Sequence, residues 1–143
     1  MKKTQMKRVL IVICLILLVS SNALAAEGNG VAVNVLSKTG ASWDGNDLPD
    51  YSNAKPEITI LRIKIPPGAL LPMHKHLVIN AGVLISGELT VTTEDGHVLH
   101  LKEGQAIVEV VNTWHYGKNE GNKLAEIIVF YAGKSGTLIT VNK

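Results

Sequence analysis

The sequence predicts an all-β domain, and three observations carry that reading. Short runs rich in Val, Ile and Thr recur across residues 58–131, turn residues separate them at close intervals, and nothing after the first 25 residues shows helical apolar periodicity. Ile58–Ile65 is the first run and stops at Pro66-Pro67-Gly68, which cannot continue a ladder. Met73–Ser86 follows and ends at Gly87; Glu88–Thr93 ends at Glu94-Asp95-Gly96; His97–Leu101 ends near Glu103-Gly104. Gln105–Val111 and Leu124–Tyr131 complete the series, with the polar stretch Lys118–Asn122 before the last. Strands this short and this evenly spaced belong to a sandwich or a barrel. There is no internal repeat and no low-complexity tract.

The amino terminus has a different character. Lys2, Lys3, Lys7 and Arg8 precede an unbroken apolar run from Val9 to Val19, and Ala23-Leu24-Ala25 supplies the small residues of a cleavage site. The run is much shorter than the roughly 20 residues a membrane-spanning helix needs, so residues 1–25 read as an export signal and no stable membrane anchor is expected after its removal. Cys14, the single cysteine, lies inside this segment, leaving a mature chain without disulfides and without lipid attachment. Export places the protein in a periplasmic or extracellular compartment.

Removing the signal takes away four basic residues and no acidic ones, which turns a formal charge of +2 into about −2. The basic pI thus belongs to the signal, and the mature surface lacks the basic face a nucleic acid would need. About 118 residues remain, enough for one core and too few for a second domain. Within them, residues 26–55 are rich in Gly, Asn, Ser and Asp and read as an arm with one short strand at Val31–Leu36, while residues 56–143 hold the β-domain.

The candidate chemistry starts at His74-Lys75-His76. On a strand, residues two apart share a face with Cα atoms roughly 6.6 Å apart, so two imidazoles can converge on one metal. On a helix the same spacing points them to nearly opposite sides. The same alternation puts Val78 and Asn80 on the histidine face, making the Asn80 amide oxygen a candidate for a fourth position, and turns Lys75 away. Alone, a His-x-His pair also serves as decoration on a solvent-facing strand.

The surrounding spacing decides between these readings. Gly68, five residues, His74-Lys75-His76, three residues, Asn80, six residues and Gly87 resemble the first motif of the cupin superfamily. Gly104, five residues, Val110-Val111-Asn112, two residues, His115, three residues and Asn119 resemble the second. The leader Ser42-Trp43-Asp44-Gly45, with Tyr51, is similar to that of small bacterial cupins that continue into a Pro-Glu-Ile strand and a Pro-Gly-x-x-x-Pro-x-His-x-His run. The resemblance implies a double-stranded β-helix, or jelly-roll barrel, in which His74, His76 and His115 ligate one metal. It implies turn positions for Gly68, Gly87 and Gly104 and a structural turn role for Asn119.

Three departures from the family pattern follow. Asn80 stands where a metal-binding glutamate is usual, and Val110 and Asn112 replace a proline and a glycine. The first removes a charge from the site, and a neutral amide is a poorer ligand than a carboxylate. Glu109 interrupts the apolar run Ala106–Val111 close to His115; it is the candidate catalytic residue and can restore that charge, unless it is simply solvated or the partner of a nearby lysine. His97 and His100 are assigned to the surface, and Trp114 and Tyr116 to the face opposite His115.

The resemblance implies a divalent transition metal, Fe, Mn, Cu, Ni or Zn, and a small-molecule substrate handled by a dioxygenase or an isomerase. A non-catalytic binder of a metal or small ligand is the alternative. No Arg or Lys falls beside the histidines, so a strongly anionic substrate is not expected. A homodimer paired through sheet edges is a further expectation from the family.

Overall fold

The computed structural model describes residues 32–51 and 53–143. The export signal expected at residues 1–25 lies outside them. The unit Val35–Lys143 contains nine strands and, among the described residues, no helix: β1 (Pro56–Ile65), β2 (His74–His76), β3 (Ile79–Ser86), β4 (Glu88–Thr93), β5 (Val98–Lys102), β6 (Ala106–Val108), β7 (His115–Lys118), β8 (Ala125–Lys134) and β9 (Thr140–Asn142). They form two antiparallel sheets, ordered β1-β8-β3-β6 and β5-β4-β7-β2-β9. The expected all-β jelly roll is the fold observed.

Alternation explains which side chains fill the space between the sheets. On β1 the inward set ends at Ile65; on β3 it is Asn80, Gly82 and Leu84; on β8 it is Ala125, Ile127, Val129 and Tyr131. The second sheet answers with Leu89, Val91 and Leu101, giving one apolar cluster between the layers. The outer face of the first sheet carries apolar side chains too: Ile58, Ile60 and Phe130 are exposed.

The expected strand Met73–Ser86 is two strands. The chain leaves the five-stranded sheet after His76 and enters the four-stranded sheet at Ile79, and inward alternation survives the crossing, because His76, Val78 and Asn80 are all buried. β7 and β9 did not stand out as apolar runs because β7 contains Gly117 and Lys118 and β9 reads Thr-Val-Asn; pairing with β2 organises both. No strand forms in the described part of Val31–Leu36, where no partner ladder is present. Later in the arm, Ala41 and Asp47 form an antiparallel bridge.

Turn positions follow backbone chemistry. Gly87 adopts φ +77 between β3 and β4, and a Cβ there would meet the Leu124 carbonyl oxygen at 2.7 Å, so glycine is required both conformationally and sterically. Asn112, in place of the family's glycine, also has positive φ (+58), which asparagine tolerates better than most residues, and its N–H donates to the His76 carbonyl at 2.8 Å. The substitution therefore preserves the turn and ties it to β2.

Asn119 is fully buried and acts as the structural residue expected of it. Its Nδ2 donates to the carbonyls of Ile65 (2.8 Å) and Lys123 (2.7 Å), while its Oδ1 accepts from the Gly121 N–H (3.0 Å). Asn119→Ala strands three backbone groups at once and is expected to cost about 3 kcal/mol in urea unfolding, with metal content unchanged. A loss below 1 kcal/mol would show that water replaces the amide.

Candidate metal centre

β2 and β7 are adjacent antiparallel strands, and the register pairs His74 directly with His115. His76, two residues along β2, shares their face. The three rings meet with centroids 4.4–5.0 Å apart, and one ligand atom from each lies within 4.8 Å of the others. His76 and His115 are buried at 4% and 1% exposure, and His74 is half-buried at the mouth.

Each ring is held by its Nδ1. That atom lies 2.7 Å from the Pro72 carbonyl in His74, 2.9 Å from the Thr113 carbonyl in His115, and 3.2 Å from the Ile139 carbonyl and 3.1 Å from Thr140 Oγ1 in His76. A carbonyl oxygen only accepts, so each Nδ1 carries the proton and each Nε2 presents a lone pair. Backbone acceptors thus select the same tautomer three times, as outer partners do for metal-binding imidazoles.

Electrostatics keep the rings neutral. Burial, reinforced by the neighbouring His115 and His74, pushes the His76 pKa down to about 3. Burial, and then His115, lowers that of His74, and burial lowers that of His115. All three are therefore in the ligand form at neutral pH.

Facing them is a polar row on the inner side of the first sheet. Tyr131 on β8 pairs with Asn80 on β3, and the Glu109 N–H donates to the Asn80 carbonyl at 3.0 Å, next in register to the Ala81–Val108 pair. Glu109 is nine-tenths buried, with Oε2 3.8 Å from His115 Nε2. That distance is too long for a hydrogen bond, and with a neutral His115 the pair is not a salt bridge. Burial raises the Glu109 pKa to about 7 against the opposing influences of His74, Trp43 and the Val110 backbone. Burial, then the Glu109 charge, raises Tyr131 to about 12.

The enclosed space is a cavity of about 50 Å³ walled by the three histidines, Glu109, Tyr131 and aliphatic side chains such as Leu71 and Val129. Asn80 is buried beside this space without forming part of its wall. A larger hollow of about 490 Å³ lies between Tyr51, Ile58, Ile79 and Ala132 and contains none of the histidines. The histidines and Glu109 converge on the smaller space.

The fit to a metal is tested by what the residues lack. Among the described residues, four buried side-chain atoms have no hydrogen-bond partner: Asn80 Oδ1, Glu109 Oε2, His115 Nε2 and Trp43 Nε1. Three of them are acceptors, and each unsatisfied buried acceptor costs about 1–3 kcal/mol. A cation answers such a deficit, and a set of imidazoles with one carboxylate suits a divalent transition metal.

The family model for the cupin domain matches residues 61–131. The chain carries a cupin domain. The cupin is similar in structure to a cupin family protein with a double-stranded β-helix fold from Methanocaldococcus jannaschii: 28% identity, 53% of this chain, 70% of that one, TM-score 0.50. It is also similar to an uncharacterized conserved protein with a double-stranded β-helix domain from Klebsiella pneumoniae: 21% identity, 65% of this chain, 88% of that one, TM-score 0.51. A third is the polyketide cyclase RemF from Streptomyces resistomycificus, at 14% identity, covering 64% of each chain, TM-score 0.51; this likeness shows the fold alone. No curated protein matches the sequence.

The structure brings together the three histidines and Glu109 that the sequence singled out as candidates. It kept Asn80 on the same inner face but behind the cavity wall. His97 and His100 are exposed, as expected. Trp114 lies outside the barrel with the Lys75 ammonium 4.9 Å from its ring centroid, as alternation required. What the sequence left open was the arm, whose Trp43 packs against the core cluster. Its signal in the sequence was the Trp within the leader Ser42-Trp43-Asp44-Gly45.

Proposed function

We propose that this protein is an exported metal-binding cupin in which His74, His76 and His115 hold a divalent transition metal, with Asn80 and Glu109 as candidates for the remaining protein contact. The observation that supports it best is the triple Nδ1–carbonyl arrangement, which leaves the Nε2 lone pairs of three clustered imidazoles free in a mostly aliphatic space. Iron, manganese, copper, nickel or zinc suits that donor set. A bound metal would supply Lewis acidity or, for a redox-active ion, dioxygenase-type oxidation of a small molecule.

The protein's own residues limit the substrate. Pockets that enclose a whole drug-sized ligand measure roughly 300–1,000 Å³, whereas this cavity of about 50 Å³ admits one small donor group. No Arg or Lys lines it, which disfavours a phosphorylated substrate. Glu109, raised to about 7, holds or releases a proton near neutral pH and is the group suited to general acid or base work. The same small, aliphatic space favours a second reading, a non-catalytic holder of metal or a small ligand. A homodimer and export to the periplasm or the extracellular space are part of the proposal, the former resting on the exposed Ile58, Ile60 and Phe130.

Elemental analysis of mature protein, purified from its native compartment without chelator or histidine tag, tests this reading. Near-stoichiometric metal that disappears in His76→Ala is expected, with an amino terminus at Ala26. Absence of metal in the unsubstituted protein, even after reconstitution, would overturn the metal reading.

A further inference from the structure

Resting on the metal-centre reading above, we propose that Glu109 supplies the anionic ligand that Asn80 cannot, and that Trp43 of the amino-terminal arm is the residue that positions it. The carboxylate has moved one strand along the same inward row, from β3 to the residue following β6.

The register carries the first half. Asn80 and Glu109 lie side by side, joined by the 3.0 Å backbone hydrogen bond, and both are buried on the face that looks toward β2 and β7. Of the two, Glu109 lines the cavity and Asn80 does not. Glu109 Oε2 and His115 Nε2 confront each other at 3.8 Å, each buried, each an electron-pair donor and each without a hydrogen-bond partner. Two such atoms repel unless a positive centre sits between them, and a cation is the group that would also engage the other histidines.

The arm carries the second half. Ser42 is buried, its Oγ donating to Asp44 Oδ1 (2.7 Å) and to the Asn46 carbonyl (3.0 Å), while the Asn46 N–H donates to Asp44 Oδ1 (3.1 Å). This closed turn fixes Trp43, whose backbone N–H donates to the Val108 carbonyl at 2.9 Å, one residue before Glu109. The indole therefore packs against the core beside the carboxylate, and its Nε1–H is buried with no partner of normal hydrogen-bond geometry. The Glu109 carboxylate is the acceptor within its reach. An indole N–H is a donor that cannot ligate, so its use at this place is to orient the acceptor next to it. The arm is in this way a component of the centre.

The test is Co(II) binding to full-length mature protein, followed by competition titration and by the visible ligand-field spectrum, for Glu109→Gln, Trp43→Phe, the double variant, Asn80→Ala and His76→Ala. Glu109→Gln is expected to weaken Co(II) at least 10-fold and alter its spectrum. Trp43→Phe, which keeps the ring and removes the N–H, is expected to weaken it about 3- to 10-fold. In the double variant the Trp43 effect is expected to vanish, a coupling that a merely structural role would not produce. Asn80→Ala, which removes the competing candidate ligand, is expected to change the spectrum less than Glu109→Gln, and the reverse order would overturn the assignment to Glu109. Unchanged affinity and spectrum in Glu109→Gln, with binding abolished by His76→Ala, would overturn this inference and leave the three-histidine centre standing. Failure of the unsubstituted protein to bind Co(II) would instead remove the centre itself. Additive effects of Trp43→Phe and Glu109→Gln would overturn the positioning role.

Discussion

Acidifying the metal-free protein from pH 7 to pH 4 is expected to lower its unfolding free energy steeply, and the histidine cluster is the cause. The ordinary His pKa is 6.5, and that of folded His76 is about 3. Between those values the unfolded chain binds a proton that the folded chain refuses, so the stability from neutral His76 is complete above pH 6.5 and is lost as pH falls toward 3. His74 and His115 are shifted in the same direction and add to the slope. Glu109 opposes it: its folded pKa of about 7 exceeds the ordinary 4.5, so its protonated form favours folding below that window and that benefit is lost as pH rises through 7. Three rings against one carboxyl leave the histidines dominant between pH 4.5 and 6.5. His76 alone accounts for on the order of 4 kcal/mol by pH 3. Urea unfolding at pH 7, 6, 5 and 4 reads this directly. A falling midpoint in the unsubstituted protein and a flatter profile in His76→Gln are expected; Glu109→Gln should steepen the fall. A midpoint independent of pH over this range would mean the rings are protonated inside the folded barrel.

The histidines were legible in the sequence because strand alternation converts a His-x-His spacing into a shared face, and because turn glycines at fixed distances frame them. Gly87 shows why those glycines are readable: a positive φ beside the Leu124 backbone leaves few other choices. The strands β2, β7 and β9 were less legible, since each has three or four residues with polar members and exists through partners distant in the chain. Their pairing is a tertiary outcome that no local pattern announces. Trp43 shows the same limit from the other direction. It stands in a polar arm, and only the turn around Ser42 and the hydrogen bond to Val108 bring its indole to Glu109. Glu109 itself was visible as a charge inside an apolar run, yet its inward direction depends on register with Asn80, which lies 29 residues earlier in the chain.

That register also defines the second large effect. Asn80→Asp changes one atom of a side chain without changing its volume, and it places a carboxyl where the family usually carries an acidic ligand. In this chain the neighbouring strand already presents Glu109 in the same row, and Tyr131 occupies the other side. Two adjacent buried carboxyls cannot both ionise in an aliphatic interior, so one must take up a proton or remain charged without a partner. Metal-free Asn80→Asp is therefore expected to lose about 3–5 kcal/mol at pH 8, where Glu109 is ionised. A divalent ion reverses the sign of the effect, because the added negative charge then faces a cation. Saturating Zn(II) or Co(II) is expected to recover most of the loss and to bind the variant at least 10-fold more tightly than the unsubstituted protein. Thermal unfolding with and without metal distinguishes the outcomes. Destabilisation that metal does not relieve would show that position 80 faces packing alone and has no access to the centre. An absence of destabilisation would show that water reaches the row, and that the interior between Tyr131 and Glu109 is wetter than its burial implies.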